Sequence, residues 1–381
     1  MPTITLPGLH RTLERFTTKP PQPFPLARPP FSRVAYAAAH VVADPLADTD
    51  PWIHSAIDWD ATLDYRHYLW SLGLGVAEAM DTAQRGSGLD WPASIELIRR
   101  SVAAAPPGGL IVCGAGTDHL PPNANIQQVI GGYEAQCESI EKVGGRIVLM
   151  ASRALAAVAR SPDDYQWVYG KILTQLRHPV ILHWLGDRFD PALANYWGHA
   201  SLDAATATCL DIINAHPAKV DGLKLSLLDA NREVALRRHL PRGVRLYTGD
   251  DFHYPDLIAG DDEGYSHALL GIFDPIAPAA AAALAHLQRG DLDAYHDALR
   301  PTVPLARHMF RAPTQFYKTG IVFMAYLNGH QPHFAMIGGQ QSARSLLHLA
   351  ELFRLADGAG LLRDPDDACL RMARVLAVHG L

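Results

Sequence analysis

Asp221-Gly222-Leu223-Lys224-Leu225-Ser226 places a lysine inside a short apolar run. With Val220, Leu223 and Leu225 around it, the run reads as a buried strand. A lysine in that setting is costly, because desolvation disfavours its charged form and lowers its pKa. A neutral lysine amine is a nucleophile toward carbonyl carbon, so the stretch predicts a Schiff base at Lys224. A strand-end lysine whose head reaches solvent or a carboxylate would explain the same six residues. What surrounds the run decides between the two.

Upstream, apolar runs stand at 33–40, 75–80, 109–114, 146–151 and 179–184; downstream they recur at 244–247 and 266–271. Between them lie segments of helical period. One opens at Asp90-Trp91-Pro92, a second spans 125–143 and stops at Gly144-Gly145, and a third is started by Ser161-Pro162-Asp163-Asp164. Eight strand–helix alternations in succession predict an α/β fold, a (β/α)8 TIM barrel. Continuous apolar strands suit a parallel sheet covered on both faces. A doubly wound sheet is disfavoured, since no GxGxxG follows the first strand. The predicted organisation is an irregular proline-rich arm over 1–32, a barrel over 33–277 and a C-terminal α-helical domain over 278–381.

Composition narrows the partners. Apolar residues make up 48%, as in a globular chain, and the net charge is −6 with no basic block to neutralise phosphates, which argues against nucleic acid. Cys113, Cys137, Cys209 and Cys369 are widely spaced without a CxxC, and read as free thiols in a reducing compartment. Neither a signal-peptide pattern nor a bilayer-length apolar run is present, so the expected location is cytoplasmic, without a membrane partner.

Barrel active sites form where strands end and βα loops begin. The polar residues there are Thr82 after the second strand, Gly114 and Gly116 at the third, Ser152 and Arg153 at the fourth, and His183 at the fifth. The sixth adds Lys224 and Ser226, and the seventh Thr248, Asp250 and Asp251. Each has a structural explanation: a tight glycine turn, a helix cap or a hydrogen-bonded core histidine. The barrel reading gathers them around one mouth. His183 is expected to shuttle protons, an imidazole suiting transfer near neutrality. Thr82, Ser152 and Arg153 are expected to meet polar groups of the substrate, with Arg153 able to pair bidentately with a carboxylate. Thr248 and Asp250 are expected to shape the Lys224 pocket.

The pattern Asp221-Gly222-Leu223-Lys224, the element Tyr247-Thr248-Gly249-Asp250-Asp251 and the turn Gly114-Ala115-Gly116 together resemble the dihydrodipicolinate synthase and N-acetylneuraminate lyase superfamily, in a divergent branch without assigned function. These are class I, Schiff-base aldolases on a (β/α)8 barrel with a C-terminal helical domain. The resemblance runs from about residue 33 to the C-terminus. It implies a lyase that cleaves, condenses or dehydrates a 2-keto acid or keto-sugar derivative through a covalent imine of Lys224, without a cofactor. It also implies a homo-oligomer, a dimer or tetramer. Two departures stand out. The family's Gly-Thr-Thr-Gly-Glu turn is replaced by Met80-Asp81-Thr82-Ala83, where Thr82 alone can stand in. The family's acid–base tyrosine at the fourth strand is absent from 149–153, leaving His183 and Tyr247 as replacements.

Two other classes fit the same residues. Glu78, Asp118, His119, His183, Asp250 and His253 are metal-ligand types, so a metal-dependent lyase, isomerase or hydrolase is an alternative. A non-catalytic, metabolite-binding barrel is the other. In the C-terminal part, His308, Gln315, Tyr317, Lys318, His330 and His333 read mostly as packing or surface residues, with some able to close over the barrel mouth.

Overall fold

The computed structural model describes residues 1–21, 23–25 and 29–381. Residues 22 and 26–28 of the proline-rich arm lie outside the described residues. The arm is not irregular throughout. Strands β1 (Thr3–Pro7) and β2 (Leu13–Thr17) form an antiparallel hairpin, with Thr3 opposite Thr17. Alternation explains it: Ile4 and Leu6 are buried while Thr3 and Thr5 face out. The hairpin docks on helix Leu346–Gly358, with Phe16 edge-on to Phe353 and Pro7 O accepting from Arg354 at 3.2 Å.

The eight apolar runs become eight parallel strands: β3 (Ala35–Ala38), β4 (Gly75–Glu78), β5 (Ile111–Ala115), β6 (Ile147–Leu149), β7 (Val180–Leu185), β8 (Val220–Ser226), β9 (Arg245–Thr248) and β10 (His267–Leu270). They close in sequence order, β10 pairing with β3. The chain is a (β/α)8 barrel. Local chemistry starts the intervening helices where expected. Asp90 caps Trp91–Ala104 by accepting from Ala93 N–H at 2.9 Å, with Pro92 in the first turn. Asn125 and Gln128 form a reciprocal capping box at the head of Ile126–Lys142.

Each strand is apolar on both faces because each face is covered. Outward residues such as Leu182, Trp184, Leu223 and Leu225 pack with helix residues Tyr133, Cys137 and Tyr169. Inward residues Tyr36, Ala77, Val148, Ile181, Tyr247 and Leu269 fill the barrel. A buried ion pair ties the wall to the first helix: Arg66, on Trp59–Ser71, reaches Glu78 at 2.8 and 2.9 Å. After β10 the chain is helical. The alanine-rich helix Ala277–Gln288 and the wholly buried helix Tyr317–Leu327 lie among the six that complete it. No helix of the described residues is long and apolar enough to cross a membrane.

Candidate active site

The inward rows of β7 and β8 build the site. Ile181 faces the barrel interior and its neighbours Leu182 and Trp184 face the helices, so alternation turns His183 inward. On β8 the same rule turns Lys224 and Ser226 inward, between Leu223 and Leu225. His183 and Lys224 are directly opposite in register. Lys224 is 7% exposed and borders a cavity of about 310 Å³, open space at its mouth included. Ser226, Asp251, Asp81, Thr82 and Tyr317 share that cavity.

Burial lowers the Lys224 pKa, against the pull of Asp81 and Asp251, which favour its charged form. Asp251 is buried beneath the same cavity and pushed up to about 7 by desolvation, although Ile272 N–H donates to it at 2.9 Å and Lys224 opposes the rise. Burial thus works against the charged form of both groups, which favours the neutral amine at Lys224. Gly249 makes room for this pair. Its N–H donates to Leu225 O at 2.8 Å, and a Cβ there would fall 2.1 Å from Ser226 Oγ and 3.1 Å from Lys224 Cε.

His183 differs from expectation in its charge. Burial, then the nearby Lys224, holds its pKa well below the ordinary histidine value. The ring is neutral at physiological pH and has no second proton to give. Its Nε2 lies 3.2 Å from Ser226 Oγ, so it orients a hydroxyl of the Lys224 cavity. His183 itself lines a second, larger cavity of about 1340 Å³, open space at its mouth included, which meets the first at Asp81 and Leu185.

The other sequence-predicted positions divide. Thr82 borders the Lys224 cavity, with its hydroxyl 2.9 Å from Tyr317 Oη. Gly116 and Arg153 line the outer cavity, where Arg153 is ion-paired with Asp190. Gly114 serves packing: a Cβ would meet Ala79 O at 2.8 Å and Met150 Sδ at 2.9 Å. Ser152 is drawn away from substrate, because its Oγ caps helix Arg153–Val158 through Leu155 N–H at 2.9 Å and bonds Thr117 Oγ1 at 2.5 Å. Thr248 faces out of the barrel, next to inward Tyr247, and donates to Glu233 at 3.0 Å. Asp250 is held in its turn by Phe252 N–H at 2.8 Å and His253 Nδ1 at 2.8 Å. Both support the Asp251 loop and do not touch the cavity.

Tyr317 and Asp81 were given no role by the sequence reading, although Asp81 stands at the end of the second strand and Tyr317 is among the C-terminal residues read as packing or surface groups, some able to close over the mouth. Tyr317 arrives from the C-terminal helix, so nothing near the fourth strand announces it. Its phenol is fully buried and pushed well above the ordinary tyrosine value, chiefly by desolvation and next by Asp81, so it stays protonated. The ring stacks on Phe310 with centroids 4.4 Å apart. Asp81 opens the turn Asp81–Ala83 after β4 and borders both cavities.

The metal-type residues do not converge. Glu78 points outward to Arg66, Asp118 pairs with Arg85 at 2.6 Å, His119 bonds Gln136 at 2.7 Å, and Asp250 holds His253. Among the described residues, no three His, Cys, Asp or Glu side chains form a group able to hold a metal ion.

Solved structures share the fold. A prophage protein of the dihydrodipicolinic acid synthase family from E. coli K12, in complex with pyruvate, matches at TM-score 0.64 with 11% identity, covering 91% of this chain and 99% of that one. A dihydrodipicolinate synthetase-like protein from Pseudomonas aeruginosa matches at TM-score 0.62 with 15% identity over 84% and 99% of the two chains. Dihydrodipicolinate synthase from Aquifex aeolicus gives 0.62 and 11%, over 92% and 98%. At these identities the likeness establishes the barrel and its C-terminal helices. No curated protein matches the sequence. A family model described as "Protein of unknown function (DUF993)" matches residues 4–381, and the chain belongs to that family.

Proposed function

We propose that the protein is a Schiff-base-forming lyase of the aldolase kind, a divergent member of the dihydrodipicolinate synthase and N-acetylneuraminate lyase superfamily. It acts on a 2-keto acid or keto-sugar derivative through Lys224. The observation that carries this reading is a buried lysine, its pKa lowered, facing a cavity at the strand ends of a (β/α)8 barrel beside Asp81 and Asp251. The barrel shared with dihydrodipicolinate synthases supports it.

The neutral Lys224 amine adds to the carbonyl carbon, and water leaves with the carbonyl oxygen. The resulting iminium is an electron sink. It accepts the pair of the adjacent bond, a C–C bond in cleavage or a C–H bond in condensation or dehydration. The proton set moving must be relayed, and here the role passes from His183 to Tyr317. Tyr317 is protonated, borders the cavity and bonds the Thr82 hydroxyl. The phenol and the threonine hydroxyl together relay a proton between the substrate and the cavity edge. His183 keeps Ser226 oriented toward Lys224. Asp251 serves as the counter-charge of the iminium, and Gly116 and Arg153 line the outer space that receives the rest of the substrate. The chemistry needs no cofactor, and we take the working form to be a cytoplasmic homo-oligomer, a dimer or tetramer.

Borohydride reduction in the presence of carbonyl compounds tests the reading. Mass spectrometry is expected to place a secondary-amine adduct on Lys224 and none in Lys224→Ala. A substrate that is turned over without any adduct on Lys224 refutes it.

A further inference from the structure

We infer that the compound bound at Lys224 is uncharged beside its reactive carbonyl, a hydroxyketone or hydroxyaldehyde of the open-chain sugar type, and that Asp81 selects against a 2-keto acid. The inference rests on Lys224 being the imine-forming residue and narrows the substrate class proposed above.

Charge balance carries it. The Lys224 cavity is bordered by one cation, Lys224, and two carboxylates, Asp81 and Asp251. The outer cavity adds Arg85 and Arg153, but each is committed. Arg85 is paired with Asp118 and also donates to Ala79 O at 3.2 Å, Gly114 O at 2.9 Å and Gln136 Oε1 at 2.6 Å. Arg153 is paired with Asp190. Among the described residues, Lys318 is a further cation close to Asp81. It is buried, its Nζ lies 3.4 Å from Ser87 Oγ, and Asp81 is the charge that most favours its ammonium form. Arg85 and Arg153 are thus ion-paired with aspartates, and Lys224 and Lys318 are offset in number by Asp251 and Asp81 before any substrate enters.

A 2-keto acid would carry its carboxylate one bond from the imine carbon. That charge would enter a small, buried space beside Asp81 where, among the described residues, no cation is in excess of the carboxylates, and an unmatched buried charge is strongly disfavoured. A neutral carbonyl compound leaves the balance intact: the iminium replaces the lysine ammonium opposite Asp81 and Asp251. The uncharged groups that remain are hydroxyls. Thr82, Tyr317 and Ser226 border the inner cavity and Thr117 the outer. Hydroxyls on the substrate chain match them as donors and acceptors.

Trapping competition tests this directly. The full-length protein is incubated with dihydroxyacetone, glycolaldehyde or pyruvate over a concentration series, and hydride from borohydride reduces the C=N bond to a stable amine. Intact-mass and peptide mapping read the fraction modified at Lys224. Wild type is expected to reach half-modification with dihydroxyacetone or glycolaldehyde at a concentration at least about tenfold below that for pyruvate. Asp81→Asn is expected to move the ratio at least about tenfold toward pyruvate. Equal or better trapping by pyruvate in wild type overturns the inference while leaving the Lys224 imine standing. So does an unchanged ratio in a folded Asp81→Asn. Failure of every carbonyl compound to modify Lys224 overturns the imine reading and the inference with it. The wild-type ratio alone decides the case if Asp81→Asn does not fold.

Discussion

Replacing Tyr317 with Phe removes one oxygen and little else. The ring keeps its stack on Phe310 at 4.4 Å and its edge contact with Phe189 at 6.5 Å, so the packing of helix Tyr317–Leu327 is retained. What is lost is the 2.9 Å hydrogen bond to Thr82, a buried hydroxyl left without its partner, at about 1–3 kcal/mol of stability. The chemical loss is larger. General acid–base transfer contributes roughly 10²–10⁴ in rate, so that factor is expected to disappear. Lys224 itself is untouched, so imine formation should persist. The assay follows both steps on one compound. Borohydride trapping measures the imine, and NMR measures solvent deuterium entering the carbon next to the carbonyl. Tyr317→Phe should trap to within about threefold of wild type and exchange about 10²–10⁴ more slowly. Thr82→Ala should slow exchange and Thr82→Ser should restore it, since the relay needs only a hydroxyl. If Tyr317→Phe exchanges within about threefold of wild type at equal trapping, the tyrosine is not the proton-transfer group.

Two further substitutions probe the supporting structure. Gly249→Ala places a methyl 2.1 Å from Ser226 Oγ and 3.1 Å from Lys224 Cε. It should cost about 1–3 kcal/mol in urea unfolding and reduce Lys224 trapping at least about tenfold, with the circular dichroism of the barrel preserved. Glu233 is buried and pushed up to about 8, above the ordinary glutamate value of 4.5, mainly by desolvation. In that window the folded state holds a proton that the unfolded state has released. Its contribution is therefore full below about pH 4.5 and is lost as pH rises through about 8. Glu233→Gln should flatten the fall in thermal stability between pH 6 and 9, by on the order of a few kcal/mol at the alkaline end. An unchanged slope would show that Glu233 is ionised in the folded protein.

The barrel was legible because parallel strands covered on both faces are apolar over most of their length, and each of the eight runs has an apolar centre broken by few polar residues. The inward position of Lys224 followed from the same alternation. Alternation also carried signals that the strand-end reading left unused. Ile4 and Leu6 between threonines mark β1, and Thr248 beside inward Tyr247 must face the helices. Ser152 directly before Arg153-Ala154-Leu155 is an N-cap position, which accounts for its hydroxyl being spent. Tyr317 was legible only as one of several C-terminal residues, some able to close over the barrel mouth, and not as a phenol bordering the Lys224 cavity. Its environment is made by tertiary packing of a wholly buried helix, within which one tyrosine looks like any other. The neutrality of His183 was equally hidden, because it depends on the cross-strand register with Lys224 and on the depth of both.

Helix Tyr317–Leu327 gives the inner cavity its phenol, and this has a consequence for synthesis. Lys224 leaves the ribosome long before Tyr317 does. A chain stopped after β10 would contain every barrel strand and Lys224 but would lack Tyr317, which borders the inner cavity, so part of the burial that lowers the lysine's pKa would be missing together with the phenol. The C-terminal helices thereby complete the inner cavity: its full lining comes together only once they have docked.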